Sequence, residues 1–262
     1  MNSRSFWNKY TFAVNQTLTF WAGFTEIGVK RVPNGWLVKS QSTAQPTDNL
    51  MVAGTMDLTD EQDVFHFYTG ISNNLLIVPA LPDKPVVFRN NKNLKISAGE
   101  SANLFFRIPL SIQLYFEEIK DENRLVEIPL KRLSDTWFGE IDNGEPAYSI
   151  GNTYYNSLSE IDLKYWEAVI PVEIINNTSG TLDLQRLILR VEDFNLYRND
   201  NYILSNYVNI EFKGQEQVES VSLSTSDNIH GDKFQIIANK RLSDSKKLLR
   251  RSFFFIKNIY QS

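Results

Sequence analysis

The stretch Leu110-Ser-Ile-Gln-Leu-Tyr-Phe116 decides the fold. Leu110, Ile112, Leu114 and Phe116 alternate with Ser111, Gln113, Tyr115 and Glu117. Only a period of two puts those four apolar side chains on one face, so the stretch reads as a half-buried β-strand. The pattern recurs outward in both directions. Upstream, Leu94-Lys-Ile96, the polar Ser97-Ala-Gly-Glu100 and Leu104 to Ile108 read as strand, turn, strand. Downstream, Ile170, Val172 and Ile174 alternate before the dense turn signal Asn176-Asn-Thr-Ser-Gly180. Leu182 and Leu184 follow, then Leu187, Leu189 and Val191, and later Val208, Ile210 and Phe212. Short strands separated by turn clusters predict sandwiches rather than βαβ units.

Helical periodicity is scarce. Asn156 to Trp166 holds at most a helical turn, and the longer candidate lies at the C-terminus. The expected fold is all-β and mostly antiparallel, with two β-sandwich-like units packed together and a short C-terminal helix or strand. The first unit is placed at 1–130, ending near the polar turn Asp121-Glu-Asn-Arg124, and the second at 131–240. Ser40 to Asn49 (SQSTAQPTDN) reads as a polar loop inside the first.

Composition narrows function by exclusion. The chain has 262 residues, 42% hydrophobic and 22% charged, enough for a sizeable core. It has no cysteine, which removes disulfides, thiolate metal sites and cysteine nucleophiles. Met1 to Tyr10 lacks the apolar core of a signal peptide, and no run approaches a membrane span. A cytoplasmic protein is expected. The net charge of −4 argues against nucleic acid as a partner. Residues 241–262 carry six basic residues and one acidic, a net +5, which leaves −9 for the rest.

The motifs of common chemistry are missing. There is no phosphate-cradling G-x-G-x-x-G or G-x-x-x-x-G-K-[ST], no G-x-S-x-G elbow, and only His66 and His230 for imidazole ligation. No cofactor and no metal is expected. His66 lies between Phe65 and Phe67 in a strand-like run, and no triad companion stands near it in sequence. The sequons at Asn15 and Asn177 read as turn chemistry.

The densest collection of reactive side chains is Arg132 to Tyr148. Asp135, Glu140, Asp142 and Glu145 are interleaved with Trp137, Phe138 and Tyr148. Two carboxylates with an aromatic platform are the parts of a glycosidase, and the same parts make a ligand groove. In an extended chain Trp137 and Phe138 point to opposite faces, one to the core and one to solvent. Gly139 after them supplies a positive φ or a close backbone approach. The functional reading is an aromatic-walled site formed by Arg132, Asp135, Trp137, Phe138, Glu140 and Tyr148. The structural reading is a plug at a sandwich corner or domain junction.

Several blocks together resemble one family. They are Pro85-Val-Val-Phe-Arg89, Phe106 to Ile112, Ser134-Asp-Thr-Trp-Phe-Gly139 with Gly144-Glu and Ala147-Tyr-Ser149, Pro171 to Ile175, Leu189-Arg-Val-Glu192 with Leu196-Tyr-Arg198, and Leu248 to Phe254. The chain resembles the prokaryotic domain-of-unknown-function family 432, most specifically in the Thr-Trp-Phe-Gly block. The resemblance implies no assigned activity and no catalytic residues. It implies a gene neighbourhood shared with small-conductance mechanosensitive channels, hence a channel or membrane-associated partner.

Two function classes follow. One is a non-enzymatic binding or regulatory protein beside a channel or membrane surface. The other is a carbohydrate-active or small-ligand-binding protein using residues 132–148. The tail bears on the first. On a helix from Ser243, Leu248, Leu249, Phe253, Phe255, Ile256, Ile259 and Tyr260 share one face, with Phe254 out of place. Lys246, Lys247, Arg250, Arg251 and Lys257 share the other. Such a segment fits an anionic membrane or a partner's groove, and equally the chain's own acidic body. Ser252 to Ile256 also reads as a final strand.

Overall fold

The computed structural model describes residues 6–53, 56–58, 63–139, 142, 144–151, 154–199, 201–213, 218–224 and 234–241. Within them the protein is all-β, with helix limited to isolated 3-10 turns such as Asp121–Asn123 and Leu158–Glu160. Among the described residues no helix is long and apolar enough to cross a membrane.

The chain forms two compact units that interleave in sequence. The first comprises the described residues of Met1–Ala80, Pro109–Arg132 and Lys164–Trp166; the second, those of Leu81–Ile108, Leu133–Leu163 and Glu167–Ser262. Where the sequence reading places one boundary near 130, the chain passes between units at five points.

The first unit holds two sheets. One has the order β1 (Lys9–Thr11), β5 (Asn74–Ala80), β8 (Ser111–Phe116), β9 (Arg124–Pro129), antiparallel throughout. The other has the order β2 (Thr17–Val32), β3 (Gly35–Ala53), β4 (Phe65–Tyr68). Edge-to-face aromatic pairs fill the core, with Phe12 5.1 Å from Trp36 and Phe6 5.9 Å from Phe20. β8 departs from the half-buried expectation, because Ser111, Gln113 and Tyr115 are buried as well. The polar side chains there satisfy one another: Gln113 Nε2 donates to Glu127 Oε2 at 2.7 Å and the Tyr115 hydroxyl to Gln113 Oε1 at 2.9 Å.

The segment 40–49 is not a loop. It continues β3, paired to β2 through Gly23↔Thr47, Thr25↔Ser42 and Glu26↔Gln41, with register shifts on either side of Gly23. Its side chains at 44–46 are exposed. Those positions fall between Thr47 and Ser42, where the register shifts, and a strand that buries nothing there needs no apolar alternation.

A half-buried tyrosine makes this unit sensitive to alkali. The Tyr10 hydroxyl donates to the Phe6 carbonyl at 2.8 Å, and burial pushes its phenol from 10.0 up to about 12. Between those values the unfolded chain has lost a proton that the folded chain retains, so stability falls as pH rises. Tyr10→Phe is expected to flatten that fall. Urea unfolding midpoints across the window, compared with the parent, check it.

The second unit also has two sheets. One has the order β10 (Ser134–Phe138), β11 (Glu145–Ile150), β6 (Val86–Ile96), β13 (Leu182–Leu189). The other has the order β17 (Val218–Leu223), β16 (Val208–Phe212), β12 (Glu167–Asn176), β15 (Ile203–Ser205), β14 (Leu196–Arg198), β18 (Gln235–Ala238), with β7 (Ser101–Pro109) beside β12. Pairing is antiparallel except for β11 with β6 and β12 with β15 and β16. Phe88 of β6 stacks 4.8 Å from Phe106 of β7 and joins the two sheets. The strand-turn-strand at 94–108 is therefore a crossing between sheets, not a hairpin.

Candidate functional site

The Thr-Trp-Phe-Gly block forms β10 and pairs with β11 as Asp135↔Tyr148, Trp137↔Pro146 and Phe138↔Glu145. Alternation then sorts the side chains. Phe138 turns inward onto Val87, Ala147 and Ile188, all buried. Trp137 turns the other way and is 51% exposed. Gly139 ends the strand at φ 106, a conformation that a Cβ disfavours. One aromatic anchors the strand, and the next is presented to solvent.

On the Trp137 face, Asp135 and Tyr148 meet a pair that the sequence reading passed over. Asp83 and Lys84 precede β6. Lys84 Nζ donates to Asp135 Oδ1 at 2.9 Å and lies 4.7 Å from the centre of the Tyr148 ring. The Tyr148 hydroxyl donates to Asp83 Oδ1 at 3.0 Å. Its bond to Asp135 holds the Lys84 ammonium above its ordinary value. Burial, then the bond to Asp83, pushes the Tyr148 phenol up. Asp135 remains 76% exposed along its side chain, so the cluster is an open surface and not a buried charge relay. The available signal was Pro82-Asp-Lys-Pro85, a turn with adjacent opposite charges directly before a family block.

The other predicted residues fall elsewhere. Arg132 is exposed and belongs to the first unit. Asp142 is exposed, and Glu140 lies outside the described residues. So do His230 and Lys246, Lys247, Arg250, Arg251, Phe253, Phe254 and Lys257 of the tail. His66 is exposed on β4, on the face opposite Phe65 and Phe67.

Glu145 has a structural partner. Arg190, at the end of β13, grips both its carboxylate oxygens, with Nη1 to Oε2 at 2.8 Å. The same guanidinium stands 4.0 Å from Glu192, which is 2% exposed. Arg241 completes the corner: its amide donates to the Glu192 carbonyl at 2.9 Å and its guanidinium to the Leu81 carbonyl. The Gly144-Glu and Leu189-Arg-Val-Glu blocks thus meet in one ion-paired corner. Glu145, opposite Phe138, lies on the face away from Asp135. These two carboxylates cannot flank one glycosidic bond, as sugar hydrolysis by a carboxylate pair requires.

No curated protein and no solved structure matches the chain. A family model described as "Protein of unknown function (DUF432)" matches residues 6–257. With the quoted blocks distributed over both units, and the model match running through nearly the whole chain, this protein belongs to the DUF432 family.

Proposed function

We propose that this protein is a non-enzymatic binding or regulatory protein. Its recognition surface is the β10–β11 face, bearing Asp135, Trp137 and Tyr148 with Asp83 and Lys84. Trp137 carries the proposal. A strand that packs Phe138 against the core presents the neighbouring indole to solvent, beside an open network of charges. Tryptophan is enriched at binding hot spots, and covering its exposed half yields about 2 kcal/mol by area. The exposed ends of Asp135 and Lys84 supply orientation.

The partner proposed first is a small-conductance mechanosensitive channel, the expectation carried by the family resemblance. A cytoplasmic location, peripheral to the membrane, is part of the same proposal. The net +5 of residues 241–262 supports a second, electrostatic contact with anionic lipid. A second reading is a small carbohydrate-type ligand, favoured by the same flat aromatic platform with polar neighbours.

Titrating the full chain against the channel's cytoplasmic domain and against soluble oligosaccharides separates the two. Trp137→Ala is expected to weaken binding to the true ligand at least ~10-fold, about 1.4 kcal/mol, with an unchanged melting temperature. Equal affinity of parent and variant for whatever binds would remove this face from the proposal.

A further inference from the structure

The last described residues of the chain are pinned beside the β10–β11 face. After β18 has paired with β14, three contacts hold the backbone down. The Lys240 amide donates to Asn195 Oδ1 at 2.8 Å, the Arg241 amide to the Glu192 carbonyl at 2.9 Å, and the Arg241 guanidinium to the Leu81 carbonyl. Leu81 is two residues from Asp83, at most about 7.6 Å between α-carbons. The chain is thus delivered to the margin of the surface that bears Asp83, Lys84, Asp135, Trp137 and Tyr148, all in the second unit.

Residues 242–262 lie outside the described residues, and their composition complements that surface. Lys246, Lys247, Arg250, Arg251 and Lys257 stand against Asp244, a net +4, and are interspersed with Leu248, Leu249 and the run Phe253 to Ile256. The face offers the opposite charge and its own apolar patch. Asp83, Asp135 and, in the β10–β11 turn, Asp142 are exposed against a partly buried Lys84, and Trp137 is 51% exposed. Glu145, on the other face, is already balanced by Arg190. Residues 242–262 reach up to about 70 Å when extended, well beyond the width of two strands. A tethered segment acts at an effective concentration of order millimolar, so modest contacts suffice to fill the site.

We propose that residues 242–262 fold back over the β10–β11 face and cover Trp137 until a partner displaces them. The regulatory sense of this rests on that face being the recognition surface; the covering itself is read without any partner. Exposed ion pairs are individually weak and screened by salt, so the cover is one that can be lifted. Whatever draws off the basic residues, an anionic surface included, uncovers the indole.

The chain has no cysteine, so a single introduced thiol reports on one place. Pro146→Cys sets it opposite Trp137, at an exposed position of β11. Gly180→Cys is the reference. It adjoins Leu182, which pairs with Ile96 at one end of β6, whereas Tyr148 pairs with Val86 at the other, roughly 30 Å away by strand rise. A Cβ at 180 meets nothing within 4 Å. Alkylation rates are measured on the full chain at low salt, with and without the tail changes Lys246→Glu, Lys247→Glu, Arg250→Glu and Arg251→Glu. The thiol at 146 is expected to react at least ~10-fold faster in the charge-reversed chain, and to gain on the thiol at 180 as salt rises to about 0.5 M. The rate at 180 should not respond to the tail changes. Equal rates at 146 in the two chains, or an equal gain at both sites, overturns the proposal. Protection that fades on dilution assigns the cover to a second copy and overturns it as well. No partner enters the measurement, so a face that later binds nothing would end the recognition reading without altering this result.

Discussion

Gly35→Ala is expected to destabilise the protein by about 3 kcal/mol or more. Gly35 opens β3 directly across from Tyr68 of β4. A Cβ built there would stand 1.7 Å from the Phe67 carbonyl oxygen and 2.8 Å from its carbon. Both are backbone atoms and cannot rotate aside. Relief requires β4 to part from β3 or the hairpin end to shift. The second course disturbs Trp36, which is fully buried and packed on Phe12. Urea denaturation reads the loss as a lower midpoint. Gly180→Ala is the control: a Cβ there meets nothing within 4 Å, and a change within about 0.5 kcal/mol is expected. A Gly35→Ala chain as stable as that control would show that β4 is not held where it is described.

Arg31→Met is expected to cost about 2–3 kcal/mol, by a different mechanism. Arg31 is 1% exposed and has a cage of neutral acceptors. Nη1 donates to the Gly35 carbonyl at 2.9 Å, Nη2 to the Gly70 carbonyl at 3.2 Å and Nε to Asn73 Oδ1 at 3.2 Å. The guanidinium carbon also lies 5.5 Å from the centre of the Trp36 ring. Burial pulls the group below its ordinary pKa, yet a guanidinium keeps its charge at neutral pH. Two effects compete on substitution. Removing a desolvated charge is favourable by itself. Leaving three acceptors without donors is not, and two of them are main-chain carbonyls that no side-chain change removes. The second effect wins at the Gly35 carbonyl, which stays buried after the charge has gone, whereas Gly70 and Asn73 are exposed and can turn to water. Arg31→Lys should fall between, since one ammonium cannot reach three acceptors spread as a fork. The Gly35→Ala and Arg31→Met losses should add incompletely, because the first displaces the backbone at Gly35 and the second removes the donor to the carbonyl of that same residue. Full additivity in a double-mutant cycle, or a Met variant as stable as the parent, would refute the cage.

The site was partly legible for a reason that can be named. Trp137 and Phe138 are adjacent in a strand, so pleating alone sends them to opposite faces. Which one is buried depends on Val87 and Ile188, which come from strands distant in sequence. Asp135 and Tyr148 are thirteen residues apart and meet through a local strand pair. Asp83 and Lys84 meet them only because β6 lies beside β11 in parallel register, Tyr148↔Val86. A parallel neighbour leaves no trace in local pattern. The apparent carboxylate cluster had the converse fate: Asp135 and Glu145 are close in sequence and separated by the thickness of a sheet.

Local patterns settled which segments are strands wherever one face is buried. Val208, Ile210 and Phe212 alternate because β16 has one face in the core. The change of phase from Leu182 and Leu184 to Leu187 and Leu189 is visible in the residues, and it corresponds to the register shift between Leu184 and Arg186. Cysteine count, missing catalytic motifs and the family blocks were likewise open to reading. Tertiary structure alone decided that 40–49 is strand, that β6 and β7 belong to different sheets, and that the units interleave. It also turned the Gly144-Glu and Leu189-Arg-Val-Glu blocks into one ion-paired corner. The physical reason is common to all four. Side-chain periodicity reports whether a face is buried, whereas strand partners are fixed by main-chain hydrogen bonds, which every residue except proline offers alike.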